Sequence, residues 1–107
     1  MFNNFDQINK IAKSEKLSAI VIECGRYNYL TKDFVKKINK LCSKNKICLI
    51  VDEIPTGWIE TNGRLYKLLN LKPDIVVYGK SIGNGYAISA IVGKKKYMKF
   101  ANKTFVS

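Results

Sequence analysis

A chain of 107 residues with 19 Lys and Arg against 8 Asp and Glu carries a formal charge of +11, and at 47% hydrophobic it is apolar enough to bury one modest core. It has no histidine and three cysteines, Cys24, Cys42 and Cys48, none in a Cys-x-x-Cys pair, which argues against zinc sites and His-based triads and for free thiols in a reducing, cytoplasmic compartment. The longest apolar runs, such as Ile47–Val51, are far too short to cross a bilayer, and Met1–Asp6 has neither the basic leader nor the apolar core of a signal peptide, so no membrane is expected.

Asn4 to Lys16 reads as an amphipathic helix, with Phe5, Ile8 and Ala12 at helical spacing. Ser18–Glu23 is an apolar strand rich in β-branched residues, and Gly25–Leu30 is a loop. Thr31 is an N-cap and Asp33 a first-turn acid for a helix that runs to Lys44 and ends at Asn45. That helix buries Phe34, Ile38, Leu41 and Cys42 and turns Lys32, Lys36, Lys37, Lys40 and Lys44 outward. A second strand, Ile47–Val51, completes a βαβ unit with parallel strands, and the lack of polar alternation suits strands covered on both faces.

After Gly57 come a loop containing Asn62-Gly63 and a short helix through Tyr66 and Leu69, which Pro73 is expected to stop. Asp74–Tyr78 is the third strand. The glycine-rich connection Lys80–Tyr86 is too short for a crossover helix, so the fourth strand, Ala87–Val92, returns antiparallel. Lys94–Phe100 forms a helical turn or two. The fold expected is α/β: a mostly parallel sheet of about four strands with one antiparallel strand, part of a three-layer sandwich.

Two strand ends carry candidate chemistry. The first apolar run delivers Asp52, the second delivers Lys80, and ligands of open α/β sheets sit beyond the carboxyl ends of parallel strands. Gly79-Lys80-Ser81 is not a phosphate loop, because that motif needs a glycine five residues earlier, where Asp74 stands. Gly83-Asn84-Gly85 lacks the third glycine of a dinucleotide fingerprint. Asp52 and Glu53 are chain neighbours pointing to opposite sides, not the facing carboxylates of a glycosidase. The lysines, including the run Lys94-Lys95-Lys96, read as solvated faces. Tyr27 and Tyr29 beside Arg26 are loop residues, so no nucleic acid is expected. A small basic nucleic-acid-binding domain stands as the alternative, with salt-dependent binding as its mark.

Ile50-Val51-Asp52-Glu53-Ile54-Pro55-Thr56-Gly57-Trp58 followed by Lys72-Pro73-Asp74-Ile75-Val76-Val77-Tyr78-Gly79-Lys80-Ser81-Ile82-Gly83-Asn84-Gly85-Tyr86 resembles the signature of class III aminotransferases, pyridoxal-phosphate enzymes of fold type I. The Asp52-to-Pro73 spacing is closer to the glutamate-1-semialdehyde aminomutase branch than to the ornithine type, and the resemblance runs from about Ser18 to Ser107.

The resemblance implies pyridoxal 5'-phosphate as cofactor. Lys80 matches the lysine that joins its aldehyde as a Schiff base and later shuttles a proton as general base and acid. Asp52 matches the acid paired with the pyridine nitrogen, keeping the ring an electron sink. Ile54 matches the stiff branched residue against the ring face. A partly desolvated Lys80 is expected, since burial disfavours its charged form. The chain departs from the family pattern at Pro55, where many relatives carry Gln, and at Cys24, Asn84 and Ala87.

By the same resemblance, residues 1–107 correspond to the central part of the cofactor-binding large domain. The upstream phosphate-binding loop and the small C-terminal domain lie outside the matched pattern, as does a threonine reaching the phosphate of a neighbouring subunit. The expectation is therefore a fragment of an aminotransferase that uses a small-molecule amino donor and a keto or aldehyde acceptor and forms a homodimer. Its rival is a non-catalytic remnant that needs a partner chain.

Overall fold

The computed structural model describes residues 3–25, 28–59 and 61–103. Arg26 and Tyr27 of the expected loop, the terminal Met1 and Phe2, and Thr104 to Ser107 lie outside these residues. Helix α1 (Phe5–Ser14) precedes strand β1 (Ala19–Glu23), helix α2 (Lys32–Asn45) and strand β2 (Cys48–Asp52). Helix α3 (Leu65–Leu68), strand β3 (Ile75–Tyr78), strand β4 (Ala90–Gly93) and helix α4 (Lys95–Met98) follow. Among the described residues, no helix is long and apolar enough to cross a membrane.

Local chemistry sets the helix ends. Asn4 Oδ1 accepts the Gln7 N–H at 3.1 Å and Thr31 Oγ1 accepts the Phe34 N–H at 3.2 Å, each satisfying an orphan donor of a first turn. At the far end of α2, Lys46 takes a left-handed conformation (φ 56°) and the Ile47 N–H closes back on the Cys42 carbonyl at 2.9 Å. The same device ends α3. Asn70 is left-handed (φ 61°), the Leu71 N–H reaches the Tyr66 carbonyl at 2.9 Å, and the Asn70 N–H reaches the Lys67 carbonyl at 3.1 Å. The short helix therefore stops at Leu68 through this turn, before Pro73 could act on it.

The four strands form one sheet in the order β1-β2-β3-β4. Pairs β1–β2 and β2–β3 are parallel, and β3–β4 is antiparallel, as the short connection after Lys80 predicts. Strand β4 starts at Ala90 rather than Ala87, because the register Tyr78↔Ala90 leaves nothing on β3 for the earlier residues to pair with. The core lies on one face of the sheet, where Ile38, Phe34 and Val35 of α2 meet Leu49 and Val51 of β2. Burying a side chain such as Ile38 completely contributes about 1.5–3 kcal/mol.

The other face differs from expectation. Residues two apart on a strand share a face, so Val21, Ile50, Ile75, Val77 and Ile91 line the side away from that core. Val21 is 64% exposed and Ile91 50% exposed. The uniformly apolar runs suggested cover on both sides; in this chain α1, α2 and α3 contribute to the core on one side, and the outer strands β1 and β4 remain open on the other.

Candidate functional site

The register aligns the carboxyl ends of the parallel strands. Glu23 pairs with Asp52, and Asp52 with Val77, three residues before Lys80. The Glu53 N–H then bonds the Val77 carbonyl at 2.9 Å, carrying the β2–β3 ladder one residue past the strand. From there the two neighbouring acids part. Asp52 is half-buried, and its Oδ1 accepts the Ile54 N–H at 2.8 Å, a turn that holds the carboxylate at the strand end. Its Oδ2 has no hydrogen-bond partner among the described residues.

Glu53 goes inward. It is 0% exposed, and its carboxylate gathers three donors: the Tyr66 N–H on Oε1 at 2.7 Å, the Thr56 hydroxyl on Oε2 at 3.1 Å, and the Cys24 thiol on Oε1 at 3.8 Å. Burial first, and the Glu53 carboxylate second, push the Cys24 thiol pKa up. Glu53 thus ties the end of β1, the loop after β2 and the start of α3 into one unit. A lone acid beside Asp52 gives no sign of this; its signal is a charged residue directly after a buried strand, where only donors from other segments can satisfy it.

Ile54 lies beside Gly79: a Cβ built on Gly79 would meet the Ile54 branch carbons at 3.4 and 3.5 Å, ordinary van der Waals distances, so the space itself would accept a small side chain there. Tyr78, the residue before, is buried; its hydroxyl donates to the Gly63 carbonyl at 2.5 Å and its ring meets Trp58 edge-on at 5.0 Å. Burial, with Tyr66 and Glu53 nearby, pushes the Tyr78 pKa up to about 12. Trp58 in turn lies over Gly63, whose φ of 74° and lack of a side chain both serve this contact.

Lys80 follows Gly79 in a left-handed conformation (φ 48°) and opens a single 3₁₀ turn, Lys80–Ile82. A lysine held there stores on the order of 1 kcal/mol of backbone strain, a feature that clusters at functional positions. Its side chain is exposed and makes no ion pair among the described residues, so the partial desolvation expected of it is absent in this chain. The structure therefore sets Ile54 beside the residue preceding Lys80 and Asp52 on the adjacent strand end.

Ligands of open, mostly parallel α/β sheets bind beyond the carboxyl ends of the strands, and Asp52 and Lys80 stand at and just past two such neighbouring ends. The family model for aminotransferase class-III matches residues 2–105, and the chain belongs to that family. It is 34% identical over 102 residues to a glutamate-1-semialdehyde 2,1-aminomutase from Campylobacter hominis, an alignment covering 92% of this chain and 23% of that protein. It is 33% identical over 100 residues to an acetylornithine aminotransferase from Aquifex aeolicus, covering 88% of this chain and 26% of the relative. Among solved structures, the FumI protein of Sphingopyxis sp. MTA144, in its PLP internal aldimine form, superposes with a TM-score of 0.86 at 22% identity, covering 100% of this chain and 28% of that one. The chain thus spans about a quarter of the length of the relatives it matches.

Proposed function

We propose that this chain carries the ring-binding part of a pyridoxal-phosphate-dependent class III aminotransferase site, the central part of the large domain. The observation that carries the reading is the parallel pairing of Asp52 with Val77, extended by the Glu53 N–H to the Val77 carbonyl at 2.9 Å, which sets the strand end bearing Asp52 beside the one that leads into Lys80. The residues present fit the cofactor: Asp52 has a carboxylate oxygen to spare, Ile54 is a stiff apolar surface, and Lys80 is a free amine. Bound there, pyridoxal phosphate would supply an electron-withdrawing ring that accepts the electron pair of a breaking bond at the substrate's α-carbon.

In this reading Asp52 keeps the ring nitrogen protonated, and Ile54 holds the ring plane. Lys80 would be the amine that anchors the cofactor's aldehyde carbon and the base positioned to take the proton from the α-carbon of the amino donor. The substrates are a small-molecule amino donor and a keto or aldehyde acceptor, and homodimeric assembly and a cytoplasmic setting belong to the same reading. The test is to incubate the chain with pyridoxal 5'-phosphate, reduce with borohydride and map the modified lysines by mass spectrometry. Preferential labelling of Lys80, weakened in Asp52→Asn, is expected. Labelling spread evenly over the lysines would overturn the assignment.

A second reading, a chain that binds cofactor only against a partner, is favoured by the open sheet face and the exposed Lys80. Equilibrium dialysis of the 107-residue chain with cofactor separates the two: retention supports the first, and no retention the second.

A further inference from the structure

At the opposite end of β3 from Lys80, four lysines from four different segments surround one cavity of about 270 Å³. Lys46 comes from the turn after α2, Lys72 from the loop before β3, Lys94 from the end of β4 and Lys96 from α4. We propose that this cavity is a binding site for a small multivalent anion of the diphosphate or phosphate-ester class, separate from the site at Asp52 and Lys80.

The lysines are held around the cavity by hydrogen-bonded backbone. Asn39 of α2 uses both ends of its amide: Nδ2 donates to the Asn70 carbonyl at 2.9 Å, and Oδ1 accepts the Lys72 N–H at 3.0 Å. This pins the Lys72 segment to α2. Asp74 does the same for the sheet. Its Oδ2 accepts the Leu49 N–H at 3.0 Å, its Oδ1 accepts the Lys94 ammonium at 2.8 Å, and its carbonyl accepts the Lys94 N–H at 2.9 Å. Lys46 is fixed by the left-handed turn that ends α2.

Asp74 is the cavity's one carboxylate, and its oxygens are already occupied by Lys94 and Leu49. Lys46, Lys72 and Lys96 make no ion pair among the described residues, and the Lys96 ammonium lies 4.4 Å over the ring of Tyr97, which also lines the cavity. Lys37, on the outer face of α2, shows the contrast: it pairs with Asp33 at 2.6 Å. Lysines that serve only as a solvated surface spread apart to reduce their mutual repulsion, whereas these four line one concavity together with Ser43. The volume lies just below the roughly 300 Å³ at which pockets for drug-sized ligands begin, which favours a compact anion over a large one. Compact ammonium point charges suit phosphate oxygens.

The test is calorimetric titration of the 107-residue chain with sodium pyrophosphate, and separately with inorganic phosphate, at low ionic strength. Saturable binding of pyrophosphate, tighter than that of phosphate, is expected. The double variant Lys72→Gln/Lys96→Gln should weaken it roughly tenfold, since two contact charges are lost. Lys36→Gln/Lys40→Gln, which removes the same charge from the exposed side of α2, should leave it within about twofold. Equal weakening in both variants would mean a diffuse field rather than a site, and no saturable binding would remove the proposal outright.

Discussion

The buried Glu53 carboxylate accepts the backbone N–H of Tyr66 at 2.7 Å, thirteen residues along the chain. Because the same carboxylate also takes the Thr56 hydroxyl, removing it strands donors that have no water to turn to. Glu53→Ala should destabilise the chain by about 3 kcal/mol. Glu53→Gln should cost about 1 kcal/mol, because its amide oxygen can still serve Tyr66 while its NH₂ can donate to the Thr56 hydroxyl. Urea denaturation of both variants checks the order, and an alanine variant no worse than the glutamine one contradicts it.

Lys80 is a residue whose chemistry and conformation pull in opposite directions. Its left-handed backbone is comfortable for glycine and strained for any other residue. Lys80→Gly should therefore raise stability by about 1 kcal/mol while abolishing labelling by pyridoxal phosphate, whereas Lys80→Ala should lose the labelling with little change in stability. Thermal melts run beside borohydride trapping read both quantities. A glycine variant less stable than the alanine one removes the strain argument without touching the chemical one.

Asp74 links stability to acid. Burial pushes its carboxyl pKa up, but the hydrogen bonds from Lys94 and from the Leu49 N–H outweigh burial and hold it below the usual carboxylate range. A group depressed in the folded state stabilises it above the unfolded value of about 4 and loses that contribution as pH falls through the folded value. The stability gap between the wild type and Asp74→Asn should be constant above about pH 5 and shrink towards pH 2. A gap unchanged over that range would show that the carboxylate contributes only as a shape.

The cysteines should behave as core residues. Cys24, Cys42 and Cys48 are free and buried, and burial, with Asp74 nearby, pushes the Cys42 thiol up to about 11. Near pH 8 this leaves on the order of a hundredfold less Cys42 thiolate than an ordinary cysteine has. Iodoacetamide should label Cys24 and Cys42 slowly in the folded chain and quickly in urea, with Cys42 labelling still rising as pH approaches 11. Peptide mass spectrometry resolves the sites, and rapid native labelling of Cys42 would show that the α2 packing opens readily.

Much of this arrangement is legible in the residues. Strand, helix and strand from Ala19 to Asp52 follow from periodicity and the Thr31 cap, and the antiparallel return of β4 follows from the length of the loop after Lys80. Asp52 and Lys80 could be placed at strand ends because apolar runs stop there. Other features depend on distant partners and carry at most a faint local mark. Glu53 looks like any acid until Tyr66 and Thr56 are folded onto it, and Lys46, Asn70 and Lys80 show their left-handed conformations only in space. The fully apolar sequence Ala19-Ile20-Val21-Ile22 suits cover on two faces as well as on one, and what packs against it decides which.

That last ambiguity has a colloidal consequence. Val21 and Ile91 present an apolar surface bounded by the outer edges of β1 and β4, which pair with no further strand among the described residues, the kind of template on which chains stack. Open-ended stacking of this kind is opposed by the mutual repulsion of molecules that each carry +11. Salt weakens that repulsion, shrinking its reach from about 10 Å at 0.1 M to about 3 Å at 1 M, while leaving the apolar attraction in place. Light scattering should therefore find dispersed chains in dilute buffer and growing particles as salt rises, and Val21→Lys or Ile91→Lys should move the onset to higher salt. On this account the lysines act as a dispersant against open-ended stacking, and dilution of salt rather than its addition is the condition that limits particle growth.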